Sequence, residues 1–301
     1  MTSVIHGATG AQGAPVLAAL IARGHTPVAL SRGGAPIPGA RSLAVDASSA
    51  EQLTAAYRGA DAVFVHLPLG AEDTRLELAH AVIAALTSAR PGRVVISTSG
   101  AIVDAPGTAL QVAPESALAT LIAGATASGI PTAVVAPRLF LENLLLPHVQ
   151  AGVREAGALR YPVRPDFAVS WASHRDVAEV IVALLGDPSV TGVLGVGAVP
   201  PVTGPELADA FAAALGRAVV FEPVTPEEFG RQIAPLLGEG PAAGVAGLYS
   251  ALSVEPDFTF DPATGAEARL GVAPSDLVSW LRAVTAVTPA PDEAGDGAAR
   301  G

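Results

Sequence analysis

At 301 residues, half hydrophobic but only 4% aromatic, the chain can bury one large core or two ordinary ones built mainly from Ala, Val, Leu and Ile. A formal net charge of −11 argues against nucleic acid or an anionic membrane as partner, because binding to either rests on clustered cations. No residue is cysteine and all 17 basic residues are arginine, which excludes disulfides, thiolate catalysis, Cys-held metals and every mechanism that needs an ε-amino group.

Short apolar runs alternate with helical patterns over the first 135 or so residues. Ser3–His6 reads as a strand that enters the turn Gly7-Ala8-Thr9-Gly10-Ala11-Gln12-Gly13. A helix follows over Gln12–Arg23, with Val16, Leu17, Leu20 and Ile21 on one face and Gly24 as its stop. Strands are expected at Pro27–Leu30, Ser42–Val45, Asp61–Leu67, Arg93–Ser97 and Thr132–Ala136. Helices are expected between them at Glu51–Tyr57, Ala71–Leu86 and Ser116–Ser128. This alternation predicts an α/β, Rossmann-type doubly wound parallel sheet with right-handed crossovers, and the continuous apolar strands suit a sheet covered on both faces.

After Pro147 the pattern loosens. A helix at Arg175–Leu185 and a strand near Val193–Val196 suggest that 166–198 returns to the sheet. The patterns at Pro205–Leu215, Pro226–Leu237 and Pro274–Val287 suggest a smaller, mostly helical substrate lobe. The expected division is thus 1–150 for a nucleotide-binding domain and 151–287 for the lobe, with a disordered tail from Thr288 to Gly301 that lacks apolar periodicity. No uncharged apolar run has membrane-spanning character, and no basic and hydrophobic leader precedes the first strand, so a cytoplasmic location is expected.

The glycine turn sits between a strand and a helix, where unpaired N–H groups and the helix dipole suit a pyrophosphate. Its spacing is G-x-x-G-x-x-G, with Gly7, Thr9, Gly10, Ala11, Gln12 and Gly13 as the expected cofactor contacts. The second strand ends in Ser31-Arg32 without a carboxylate, which favours the 2′-phosphate of NADP(H) over the free ribose of NAD. An ordinary solvated arginine is the other reading of Arg32. Asp46, after the third strand, either accepts from the adenine or closes a turn.

With those residues in view, the chain resembles the NmrA-like branch of the atypical short-chain dehydrogenase/reductases. The resemblance rests on Gly7–Gly13, Arg32, the strand end Ser97-Thr98-Ser99-Gly100 and the stretch Ala136-Pro137-Arg138-Leu139-Phe140-Leu141-Glu142-Asn143. It continues through His174-Arg175-Asp176-Val177-Ala178 and the segment 203–217. It implies a Rossmann domain, NADP(H) and a C-terminal substrate lobe; the expected partner is a small-molecule substrate, and the expected state a monomer or homodimer. It does not fix one activity.

The wider superfamily reduces carbonyls with a Tyr-x-x-x-Lys pair, in which the lysine lowers the tyrosine pKa. Here Glu115 and Ala119 stand near the expected positions, and Tyr57, Tyr161 and Tyr249 lie elsewhere in the sequence. Ser99 takes the place beside the substrate oxygen, as a catalytic hydrogen-bond donor or as a loop cap. His66, Leu67 and Pro68, with Ser97 and Phe140, are expected near the nicotinamide; His66 also reads as a packing histidine. Asn143 and Trp171 are expected toward the substrate, and Trp171 and Trp280 also suit core positions. His174 and Asp176 read first as a helix cap, and no grouping has metal-ligand spacing.

Lacking the pair, the chain also resembles angucyclinone ketoreductases of antibiotic pathways, in which a substrate phenol steadies the oxyanion. The leading expectation is an NADPH-dependent ketone or quinone reductase for a sizeable aromatic substrate. A nucleotide-sensing regulator and a non-redox isomerase or cyclase are the alternatives.

Overall fold

The computed structural model describes residues 1–287, and the tail expected to be disordered, 288–301, lies outside the described residues. The chain opens with β1 (Ser3–Ile5), α1 (Gly13–Ala22), β2 (Val28–Ser31), β3 (Arg41–Ala44), α2 (Ala50–Tyr57) and β4 (Ala62–His66). It continues through α3 (Glu72–Ala89), β5 (Val94–Ser97), α4 (Ala117–Ala127) and β6 (Thr132–Pro137). Next come α5 (Pro147–Ala151), β7 (Ala158–Tyr161), α6 (His174–Gly186) and β8 (Gly192–Val196). Seven of these strands form one parallel sheet in the order β3-β2-β1-β4-β5-β6-β8.

The chain builds outward from β1 to β3, then crosses back to lay β4 on the other side of β1. That reversal opens a crevice beyond the strand ends, where ligands of such sheets bind. Strand alternation supplies two cores. Val63 and Val65 pack with Leu53, Leu86 and Leu121 under α2, α3 and α4. Ala62 and Phe64 face the other way, toward Leu20, Val177 and Ile181 of α1 and α6.

The sheet strands fall within a residue or two of their sequence positions, and β8 does return to the sheet. The second half departs more. Beyond α7 (Gly204–Leu215), β9 (Val220–Pro223), α8 (Pro226–Leu237), α9 (Glu239–Leu252), α10 (Ala266–Leu270) and α11 (Leu277–Val287), a parallel β7–β9 pair appears that the sequence pattern did not reveal. Each strand has four residues, too short for a periodic signal, and the two pair across a long stretch of chain. Helix α9 was missed because Gly240, Gly244 and Gly247 lower its propensity; tertiary packing of Tyr249 and Leu252 overrides that preference. Apart from α10, whose Ala266 joins the core under α1 and α6, these elements share a third core with Leu144, Tyr161, Phe211, Phe229 and Trp280.

Helix starts follow local chemistry. Ser173 and Asp176 form the capping box of α6, so the cap reading of Asp176 holds. Thr203 and Glu206 form that of α7, with Pro205 in its first turn.

Arg138 ties the sheet to the lobe. Buried just past β6, it pairs with Asp104 at 2.9 Å and donates Nε to the Thr259 carbonyl at 2.8 Å. It also lies 5.8 and 5.7 Å from the Phe258 and Phe260 ring centroids. Replacing it with Met strands the Asp104 carboxylate, so Arg138→Met is expected to lower unfolding stability by about 3 kcal/mol in urea titrations. An unchanged midpoint would refute this role.

Candidate nucleotide-binding site

The glycine turn is shaped by close approach. Gly7 takes φ +57°, and a Cβ there would fall 2.4 Å from His66 Nε2. A Cβ on Gly13 would lie 2.2 Å from the Gly7 carbonyl oxygen and 2.6 Å from that of His6, both rigid backbone. Gly10 N donates to Gly7 O at 2.8 Å, and Ala14 N to Gly10 O at 3.0 Å. The amides of Thr9, Ala11 and Gln12 have no acceptor among the described residues. The first turn of α1 carries no carboxylate, so nothing from the chain neutralises that helix end.

Gln12 does more than line the turn. Its Nε2 donates to Ser99 Oγ at 2.6 Å, and its Oε1 accepts from Ser97 Oγ at 2.6 Å. One amide therefore clips the end of β5 to the turn. Ser99 stands in the left-handed region, φ +57°, held by Ser97 Oγ on its own N–H at 3.2 Å. Its oxygen already accepts from Gln12, so its proton is free to point elsewhere.

The other expected residues gather at the same edge. Ser31 Oγ accepts from Gly34 N at 3.0 Å, and Arg32 beside it is exposed, with no ion pair among the described residues. His66 ends β4 against Gly7, its Nε2 buried without a partner and its pKa lowered by burial. Leu67 is buried and Pro68 exposed just beyond it. Phe140, past β6, packs on His174 with ring centroids 4.4 Å apart and lies 3.8 Å from where a Gly100 Cβ would stand.

Three residues stand apart from this group. Asp46 lies after β3, its Oδ1 taking Ser48 N and Oγ at 2.9 and 2.7 Å, which is the turn arrangement. Asn143 lies in the turn after β6, and Trp171 is buried in the third core. Glu115 is exposed and Ala119 sits in the first turn of α4, so no acid replaces the missing pair there. Sequence spacing passed over Tyr161 and Tyr249 as well, yet their hydroxyls hydrogen-bond one another inside the lobe. No local pattern signals a meeting of β7 with α9. Among the described residues no group of three or more His, Asp or Glu could hold a metal, and no helix is long and apolar enough to cross a membrane.

Strand order, switch point and glycine turn define a Rossmann-type fold. The profile of the NmrA-like family matches residues 2–279, and the chain belongs to that family. It is 32% identical over 204 residues to an NAD(P)H azoreductase of Xenophilus azovorans; the match takes in 63% of this chain and 64% of the azoreductase. Among solved structures, Citrobacter sp. triphenylmethane reductase aligns with a TM-score of 0.72 at 17% identity, covering 94% of this chain and 98% of its own. An NADPH-dependent quinone oxidoreductase from Escherichia coli, complexed with NADPH, aligns at 0.69 and 18%, covering 95% and 100%. At these identities the two structures show the shared fold.

Burial also sets a pH response. His6, bonded to Tyr57 Oη at 2.5 Å, has its pKa lowered to about 3 by burial first and by nearby His66 second. His66, His148 and His174 are lowered in the same direction by burial. The unfolded chain takes up protons below about pH 6.5 while the native state does not. Stability is therefore full above that value and is lost as the pH falls toward 3. Urea midpoints are expected to drop between pH 7.5 and 5, and His6→Asn should flatten part of that slope. An equal slope in the variant would remove His6 from this account.

Proposed function

We propose that the chain is an NADPH-dependent oxidoreductase that reduces a ketone or quinone on a sizeable aromatic substrate. The observation that carries the reading is the free-amide cradle at Thr9, Ala11 and Gln12, with unpaired Arg32 at the next strand end and no carboxylate beside it. The amides and the α1 dipole suit a diphosphate, and the Arg32 guanidinium suits a 2′-phosphate. His66, with a buried nitrogen unsatisfied by the chain, and Phe140 would flank the nicotinamide end. Likeness to an azoreductase, and a fold shared with quinone and triphenylmethane dye reductases, support a flat conjugated acceptor.

When bound, the reduced nicotinamide supplies a hydride. The chain's own part is to place the acceptor, keep water out and meet the charge that develops. Ser99, its oxygen fixed by Gln12, offers its hydroxyl proton to the substrate oxygen. No Tyr–Lys acid acts here, and a phenol beside the substrate ketone would supply the remaining stabilisation. The apolar lobe built from β7, β9 and the helices after β8 provides the substrate side.

Arg32→Glu is expected to weaken NADPH binding about 10- to 100-fold, the worth of one charge-assisted contact, while NADH binding changes little. Equal weakening of both nucleotides would remove the phosphate role. Gly13→Ala should abolish NADPH binding, checked by nucleotide fluorescence, and retained affinity would contradict the cradle. Turnover is tested by NADPH oxidation with a panel of quinones, aryl ketones and azo dyes. Tight binding without any oxidation would favour the nucleotide-sensing alternative.

A further inference from the structure

Inside the lobe, Tyr161 at the end of β7 and Tyr249 on α9 are 0% and 2% exposed, and their hydroxyls are bonded to each other. Burial pushes both hydroxyl pKa values up, and the neighbouring Asn143 side chain acts in the opposite direction on each. The mutual bond uses one phenol proton, which leaves the second hydroxyl with a proton of its own to donate. Trp171 stands edge-on to Tyr161 with ring centroids 5.4 Å apart, and its indole Nε1 is buried without a partner. His148 Nε2 is a further buried, unpartnered atom, across the Phe229 ring from Tyr161. Each unmatched buried donor costs about 1–3 kcal/mol. An unmatched indole N–H beside a hydroxyl pair in one apolar core suits an acceptor supplied from outside the chain.

Their position suits a substrate. Asn143 lies three residues past Phe140, and the Trp171-Ala172 segment runs beside residues 139–141 through Ala172 N to Leu139 O at 3.0 Å and Leu141 N to Ala172 O at 2.9 Å. The surrounding rings of Phe229, Trp171 and the two tyrosines offer faces and edges to a flat molecule. Tyr249 is carried by the α8–α9 hairpin, which meets the lobe core through Phe229, Ile233, Ala242, Tyr249 and Leu252.

We propose that Tyr161 and Trp171, positioned by Asn143 and Tyr249, are the donor pair that receives the carbonyl oxygen of a flat conjugated substrate in the lobe. The chemical class of the ligand rests on the reductase reading; the donor pair itself needs no nucleotide.

The test is calorimetric titration of the full chain with 1,4-naphthoquinone and with naphthalene, which has the same rings and no oxygens. With no cysteine or lysine, the chain offers the quinone no thiol or ε-amine to alkylate. Naphthoquinone is expected to bind at least about 10-fold tighter than naphthalene. Tyr161→Phe and Trp171→Phe should each weaken naphthoquinone about 5- to 10-fold and leave naphthalene and NADPH unchanged. Equal affinity for the two ring systems in the unaltered chain overturns the proposal, as do variants that keep full quinone affinity. The comparison on the unaltered chain decides even where a variant fails to fold. Failure of the unaltered chain to bind NADPH would strike the reductase reading alone, because the quinone titrations contain no nucleotide.

Discussion

One amide side chain joins the two halves of the nucleotide edge. Gln12 holds Ser97 with its oxygen and Ser99 with its nitrogen, so the glycine turn after β1 and the strand end of β5 move as one unit. The tie works because the turn is closely packed around it: Gly13 admits the Gly7 carbonyl, and Gly7 admits the His66 ring. Any side chain at either glycine would force apart the surfaces that Gln12 joins. The left-handed Ser99 is held at both its hydroxyl, by Gln12, and its amide, by Ser97.

The missing Tyr–Lys pair leaves a gap in the usual chemistry, and the molecule does not fill it at the usual place. Glu115 faces solvent and Ala119 serves the cap of α4. Polar groups with protons to give occur instead at Ser99, on the sheet edge, and in the lobe around Tyr161. Buried uncharged donors suit a chain without lysine: a phenol or an indole N–H can polarise an acceptor without the desolvation cost of a buried ammonium. Burial holds the pKa of both tyrosines above the ordinary value, so each remains protonated at neutral pH.

Arg138 couples the two regions. It leaves the sheet beside Pro137, pairs with Asp104 from the loop after β5 and reaches the Thr259 carbonyl in the segment between α9 and α10. The phenylalanines on either side of it remove water, which strengthens the pair and makes either partner costly to lose. Movement of the lobe relative to the sheet must work around this fixed point.

Local order along the chain determined much of this protein. Alternating apolar runs announced the parallel sheet, the glycine spacing announced the turn, and the absence of cysteine and lysine removed whole classes of chemistry, because each of these is a property of neighbouring residues or of composition. Tertiary structure decided the rest. The Gln12 clip, the β7–β9 pair, the burial of Trp171 and the meeting of Tyr161 with Asn143 and Tyr249 join residues distant in sequence, and such contacts leave no periodicity behind them. Whether Asp46 closes a turn or a tyrosine finds a partner depends on what the fold brings within about 3 Å, and the linear order of residues does not contain that distance.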